Sequence, residues 1–124
     1  MNIPDNLFYT KEHEWIKIDG DIATVGITDF AQKELGDIVF VEVETVDEEL
    51  DVEEPFGTIE AVKTVSDMFM PLSGTVTELN EDLDDEPEII NKDPYGNGWI
   101  IKIKMSDSLQ VDDLLSAEAY KDLI

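Results

Sequence analysis

Residues 56–79 read FGTIEAVKTVSDMFMPLSGTVTEL, and this stretch decides the fold. Three runs within it, 56–62, 65–70 and 74–79, are rich in β-branched and aromatic residues. Each has the length of a strand and is too short for a packed helix. Pro71 and Gly74 separate the second run from the third. Between the first and second stands Lys63, which this pattern places at or near a hairpin tip. No Gly, Pro or Asn occurs from Ile59 to Val65, although those residues make tight turns cheap. A lysine in a turn is ordinarily just solvated. A turn built without turn residues points to another demand on the sequence, and recognition of Lys63 by a modifying enzyme is one candidate.

The same short-strand pattern continues outward. Residues 14–18, EWIKI, and 22–27, IATVGI, flank Asp19-Gly20, a hairpin signal. FAQKEL (30–35) reads as a short helix, with Thr28 or Asp29 as N-cap and Gly36 as its stop. Strands are expected at 38–43, IVFVEV, and 99–104, WIIKIK. Residues 42–54 carry eight acids in thirteen positions and read as a solvated loop or an edge. Residues 80–93 read as a second acidic loop. From Ser108 the spacing of Leu109, Val111, Leu114 and Leu115, then Ala119, Tyr120 and Leu123, is helical, with a cap at Ser116. The expected architecture is mainly β, a sandwich or flattened barrel with small added helices, one of them C-terminal.

The chain has 124 residues, the size of one domain. Eight lysines, no arginine and 31 acids give a net charge of −23. That excludes a basic face for nucleic acid and disfavours anionic membranes. No run approaches the roughly 18 apolar residues of a membrane span. The N-terminus has neither a signal-peptide nor a transit-peptide pattern. With no cysteine there is no disulfide frame, thiolate metal site or thiol nucleophile.

Candidate chemistry is sparse. His13 is the only histidine, so no histidine cluster can hold a metal. No G-x-S-x-G elbow supports a serine triad around it. Asn80, Asp82 and Asp84 alternate like a calcium loop. The sixth position, however, is Asp85 in place of Gly, and the twelfth is Asn91 in place of Glu. Gly96-x-Gly98 precedes a strand and lacks the third glycine of a dinucleotide fingerprint.

Several blocks together carry a resemblance. They are His13-Glu14-Trp15, Ala23 to Thr28 with Ala31-Gln32, and Leu35 to Val39. They continue through Glu60-Ala61-Val62-Lys63 with Ser66-Asp67, Pro71 to Gly74, Leu79-Asn80, and Ile90 to Trp99. In this order and spacing the chain resembles the glycine cleavage H-protein family. It departs in having Ala61 where the family often has Ser, and in more acidic loops.

The resemblance implies one lipoyl-carrier domain over 1–124, a lipoyl/biotinyl-carrier-like β-sandwich with a C-terminal helical extension. Lys63 would carry lipoate in amide linkage, and the chain would be a carrier, not an enzyme. Its arm would take an aminomethyl group from the pyridoxal-phosphate glycine decarboxylase to the tetrahydrofolate-dependent aminomethyltransferase. The FAD enzyme dihydrolipoyl dehydrogenase would then reoxidise it. Glu14 and Asp67, with His13 adjacent, are the candidates to hold the cationic loaded end. Glu60 and Asp67, three and four residues from Lys63, are candidate recognition points for the lipoate ligase or the lipoyl or octanoyl transferase that attaches the arm. A cytoplasmic monomer is expected.

A lipoyl donor for other lipoate-dependent complexes is the alternative role. A biotin carrier would place Met on both sides of the lysine, where Val62 and Thr64 stand. The lipoyl domains of ketoacid dehydrogenases favour Asp-Lys-Ala at that site and continue into a linker. An acid–base enzyme built on His13 and Glu14 is the reading from a different class.

Overall fold

The computed structural model describes residues 1–124. Nine strands form two antiparallel sheets. The larger has the order β1 (Phe8–Tyr9), β2 (Glu14–Asp19), β3 (Ile22–Ile27), β9 (Ile101–Met105), β8 (Gly74–Leu79) and β5 (Glu49–Leu50). The smaller has β6 (Pro55–Ala61) between β4 (Ile38–Glu42) and β7 (Val65–Phe69). Buried Ile16, Val25, Val76 and Ile103 of the first sheet share one core with Ile38, Phe56, Ile59 and Met68 of the second. This is the expected mainly-β architecture, reached because each sheet has one apolar face to bury.

A second, smaller cluster joins the chain ends to the larger sheet. It contains Ile3, Leu7, Tyr9, Trp15, Ala117 and Tyr120. Trp15 pairs directly with Gly26 across β2 and β3. Its buried indole donates from Nε1 to the Pro94 carbonyl at 2.8 Å. Leu115 exchanges two 2.8 Å backbone hydrogen bonds with Tyr9, which ties the tail to β1.

The turn signals read from the sequence hold. Gly20, between β2 and β3, has φ +62°. Helix α1 (Asp29–Leu35) is capped by Thr28, whose hydroxyl accepts from the Ala31 N–H, and ends on Gly36 at φ +80°. The C-terminal helix, Ala117–Leu123, is capped by Ser116, as its spacing predicts.

Two segments differ from expectation. Residues 80–93 are not an open loop; they hold two one-turn helices, α2 (Asp82–Asp85) and α3 (Ile89–Lys92). Leu83 and Ile90 are buried there. Two apolar anchors in an acidic run suffice to pin single turns against the core, and neither helix has a side-chain N-cap that would announce it. The acidic stretch 42–54, by contrast, supplies the edge that was one of its two readings: it contributes β5, which pairs with β8 at the end of the larger sheet. The tail begins with a 3-10 helix over Ser108–Asp113 and not with an α-helix. No helix is long and apolar enough to cross a membrane.

Candidate functional site

Lys63 stands at the tip of the β6–β7 hairpin. Glu60 pairs with Val65, and Ala61 N–H donates to the Thr64 carbonyl at 2.8 Å, which leaves Val62 and Lys63 as the turn. No residue of this turn has positive φ. The turn therefore needs no glycine, which accounts for the absence of turn residues in physical terms. The Val62 N–H donates to the Asp37 carbonyl at 3.1 Å, anchoring the tip to the start of β4. Lys63 is exposed, and none of the three ion pairs of the chain includes it. Its side chain lies along the end of α1, where a Cβ on Gly36 would sit 3.5 Å from Lys63 Cε.

A cavity of about 150 Å³ opens beside this hairpin. Ser66 to Phe69 of β7 form one wall, and Ala31, Glu34 and Leu35 of α1 form another. Glu12, His13 and Glu14, at the start of β2, close it. The structure thus brings together Glu14, His13 and Asp67, three of the residues singled out from sequence. Lys63 and Glu60 do not line the cavity. The Lys63 side chain lies beside Gly36, the residue after the Glu34–Leu35 wall of the cavity, and Glu60 is exposed on the opposite face of the hairpin sheet.

Glu14 is the unexpected member. It is no surface acid: its exposure is 3%. Burial pushes its carboxyl up from 4.5 to about 8, although the Thr10 hydroxyl and the Phe69 N–H both donate to it and oppose the shift. The Phe69 bond, at 3.0 Å, also occupies an N–H of β7, a strand at the edge of its sheet. Asp67, by contrast, is exposed at the cavity rim.

His13 occupies left-handed backbone, φ +64°, which favours glycine. Its N–H donates to the Thr10 carbonyl, and its carbonyl accepts from the Thr28 N–H. Its Nδ1 lies 2.8 Å from the Tyr120 hydroxyl, which lies 2.8 Å from Thr28 Oγ1. Burial holds the His13 imidazole below its ordinary pKa, favouring the neutral ring.

Sequence reasoning missed this strut, because Tyr120 is 107 residues from His13 and reads only as an apolar position of a tail helix. Tyr120→Phe keeps the ring stacked on Tyr9, at 4.8 Å between centroids, and removes the hydroxyl. The expected cost is about 1–2 kcal/mol, together with a shift of the His13 imidazole signals in a nitrogen-15 NMR spectrum. Unmoved His13 signals would show that the ring does not depend on this bond.

Asn91, half-buried, joins the end of α1 to β4 and α3. It donates to Gln32 Oε1 and the Gly36 carbonyl, and accepts from the Ile38 N–H, at 2.9–3.0 Å. Through it the floor under Lys63 is fixed to the core.

The family model for the glycine cleavage H-protein matches residues 7–124. The chain is 60% identical over 124 residues to the glycine cleavage system H protein of Bacteroides thetaiotaomicron, covering 100% of this chain and 98% of that one. It is 52% identical over 124 residues to that of Staphylococcus carnosus, with the same coverage. The crystal structure of a glycine cleavage system H protein from Mycobacterium marinum superposes with a TM-score of 0.88 at 40% identity, covering 97% of each chain. The chain belongs to the glycine cleavage H-protein family, the lipoyl carriers of the glycine cleavage system, which are not catalysts in their own right.

Proposed function

We propose that Lys63 is the lipoyl attachment point and that the cavity walled by Glu14, His13 and Asp67 receives the loaded end of the arm. The observation that carries this is an exposed, unpaired lysine at a hairpin tip, one helix turn from a cleft with a buried carboxyl. The residues fit the group. An amide on Lys63 removes a cation that makes no ion pair here, and the cleft walls offer Ile27, Leu35 and Met68 to an apolar arm. Lipoate supplies a dithiolane, a disulfide that opens and recloses by thiol–disulfide exchange. A chain without cysteine cannot trap that group in a mixed disulfide of its own.

Glu14 then has a specific task. In the empty cleft burial favours its neutral form. An amine cation entering the cleft favours the carboxylate, so Glu14 releases its proton to water and pairs with the cation where screening is weak. Asp67, at the rim, adds a second negative charge, and His13 forms the adjoining wall without adding positive charge.

The whole chain acts as one carrier domain whose C-terminal extension steadies that wall through Tyr120. Its partners are those of a cytoplasmic glycine cleavage complex. They comprise the pyridoxal-phosphate glycine decarboxylase, the tetrahydrofolate-dependent aminomethyltransferase and the FAD-dependent dihydrolipoyl dehydrogenase. A lipoate ligase, or a lipoyl or octanoyl transferase, reads Glu60 beside the tip, and the chain works as a monomer.

The test is intact mass after incubation with lipoate, ATP and a lipoate ligase, with Lys63→Arg alongside. One lipoyl group should appear on the parent and none on Lys63→Arg. An unmodified parent, in a tube where another lipoyl domain is modified, overturns the proposal.

A further inference from the structure

Next to Lys63, the outer face of the three-stranded sheet carries exposed apolar side chains on both sides of Glu60, and further away it is acidic. Residues directly opposite on antiparallel strands share a face. Ile59 and Ala61 of β6 point into the core, so Glu60 and Thr58 point outward. Phe40 and Val65 flank Glu60, and Glu42 and Asp67 flank Thr58. A bulge between Ile38 and Phe40 turns Val39 outward as well. Phe40 is 48% exposed, Val65 62%, and Val62 at the tip 76%. Beyond this row lies a hollow of about 230 Å³ lined by Glu42, Glu44 and Asp67. No lysine of the chain pairs with any of these acids.

We infer that this face is the docking surface for the enzyme that acylates Lys63, and that the docking site on that enzyme is an apolar socket bordered by cationic side chains. The inference rests on Lys63 being the lipoylated residue, and it assigns a function to Phe40 and Val65. Reach selects this occupant. A catalyst that forms a bond to Nζ must come within bonding distance of a side chain rooted at the hairpin tip, so it covers Val62 and Val65. Enzymes that act on the far end of the finished arm are held off by the length of the tether and can work at the cleft, on the other side of β7. Charge selects the chemistry, because unpaired carboxylates around an exposed aromatic ring complement a cationic rim and steer its approach.

The reaction served is an acyl transfer. Lys63 Nζ, deprotonated, attacks the carbonyl of lipoyl adenylate, made from lipoate and ATP. The Nζ–C bond forms, the C–O bond to AMP breaks, AMP leaves and the surplus amine proton passes to solvent.

The experiment measures kcat/KM of a lipoate ligase for the full-length acceptor, with lipoate and ATP saturating. The variants are Phe40→Ser with Val65→Ser, and Glu42→Gln with Glu44→Gln; Leu109→Ser, at a 74% exposed apolar site remote in sequence from the hairpin, is the control. The apolar double variant should fall about tenfold or more. The acidic double variant should fall less at low salt and converge on the parent at high salt. Leu109→Ser should stay within about twofold. Each variant, driven to full lipoylation with excess ligase, should be reduced by dihydrolipoyl dehydrogenase and NADH at the rate of the parent. An apolar variant modified as fast as the parent overturns the inference. Parallel loss of modification and reduction overturns it too, because the defect would then not be specific to acylation. A parent that accepts no lipoate defeats the underlying reading of Lys63, a failure separable from both.

Discussion

Glu14→Gln is expected to flatten the dependence of stability on pH between about 5 and 8. In the folded chain burial raises the Glu14 pKa from 4.5 to about 8. Within that window the folded state holds a proton that the unfolded state has lost, so parent stability falls as pH rises. The contribution is fully present below the unfolded value and lost above the folded one. A shift of that size corresponds to roughly 5 kcal/mol. Glutamine can keep its one oxygen to accept from the Phe69 N–H and turn its amide NH2 to donate to the Thr10 hydroxyl oxygen, while carrying no proton to lose. Urea denaturation at pH 5 and pH 8 measures both slopes, and equal slopes in parent and variant would show that Glu14 is ionised in the empty cleft. The same substitution tests the proposed task of Glu14. With Lys63 loaded, Glu14→Gln should release the aminomethyl group about tenfold faster or more, because a buried cation loses its partner. An unchanged release rate would remove Glu14 from that role.

Gly26→Val is expected to destabilise the fold by about 3 kcal/mol or more, against the strand propensity that favours valine. Gly26 lies in β3, where a β-branched residue would ordinarily help. But Trp15 is its cross-strand partner, and the indole lies across it. A Cβ at Gly26 would stand 2.6 Å from Trp15 Nε1 and 2.7 Å from Cε2. The ring cannot yield cheaply, because it is fully buried, bonded to the Pro94 carbonyl and packed against Tyr95. Moving it breaks that bond and opens the cluster that joins the chain ends to the sheet. In thermal unfolding the loss should be roughly 10 °C or more. Gly20→Ala is the contrast, since its Cβ would meet nothing within 4 Å and only the positive φ is strained. That variant should cost about 1 kcal/mol. A Gly26→Val protein as stable as the parent would mean that the indole has another place to sit.

The fold was legible wherever local chemistry decides. Alternating and β-branched runs marked the strands, Gly20 and Gly36 sat where positive φ was needed, and Thr28 and Ser116 capped their helices. Lys63 was legible because two strand-like runs with no spacer put a lysine between them. The single turns of α2 and α3 were hidden, because one buried residue in four leaves no period to read. The burial of Glu14 was hidden too. Its neighbours across the cleft, Phe69 and Asp67, lie more than fifty residues away, and a glutamate at a strand start reads as surface.

What the amino-acid order determines alone is the β architecture, the exposed lysine at a hairpin tip, the exclusion of basic and thiol chemistry, and, through seven ordered blocks, the family resemblance. These rest on neighbours within a few residues or on composition, where propensity and charge act directly. The tertiary structure alone decides that Glu14 is buried with a raised pKa, that the Tyr120 hydroxyl meets the ring of a left-handed His13, and that Phe40 and Val65 stand in one row with Glu60. Each depends on contacts across the sheets or between the chain ends, and desolvation, strain and register exist only once distant segments have packed.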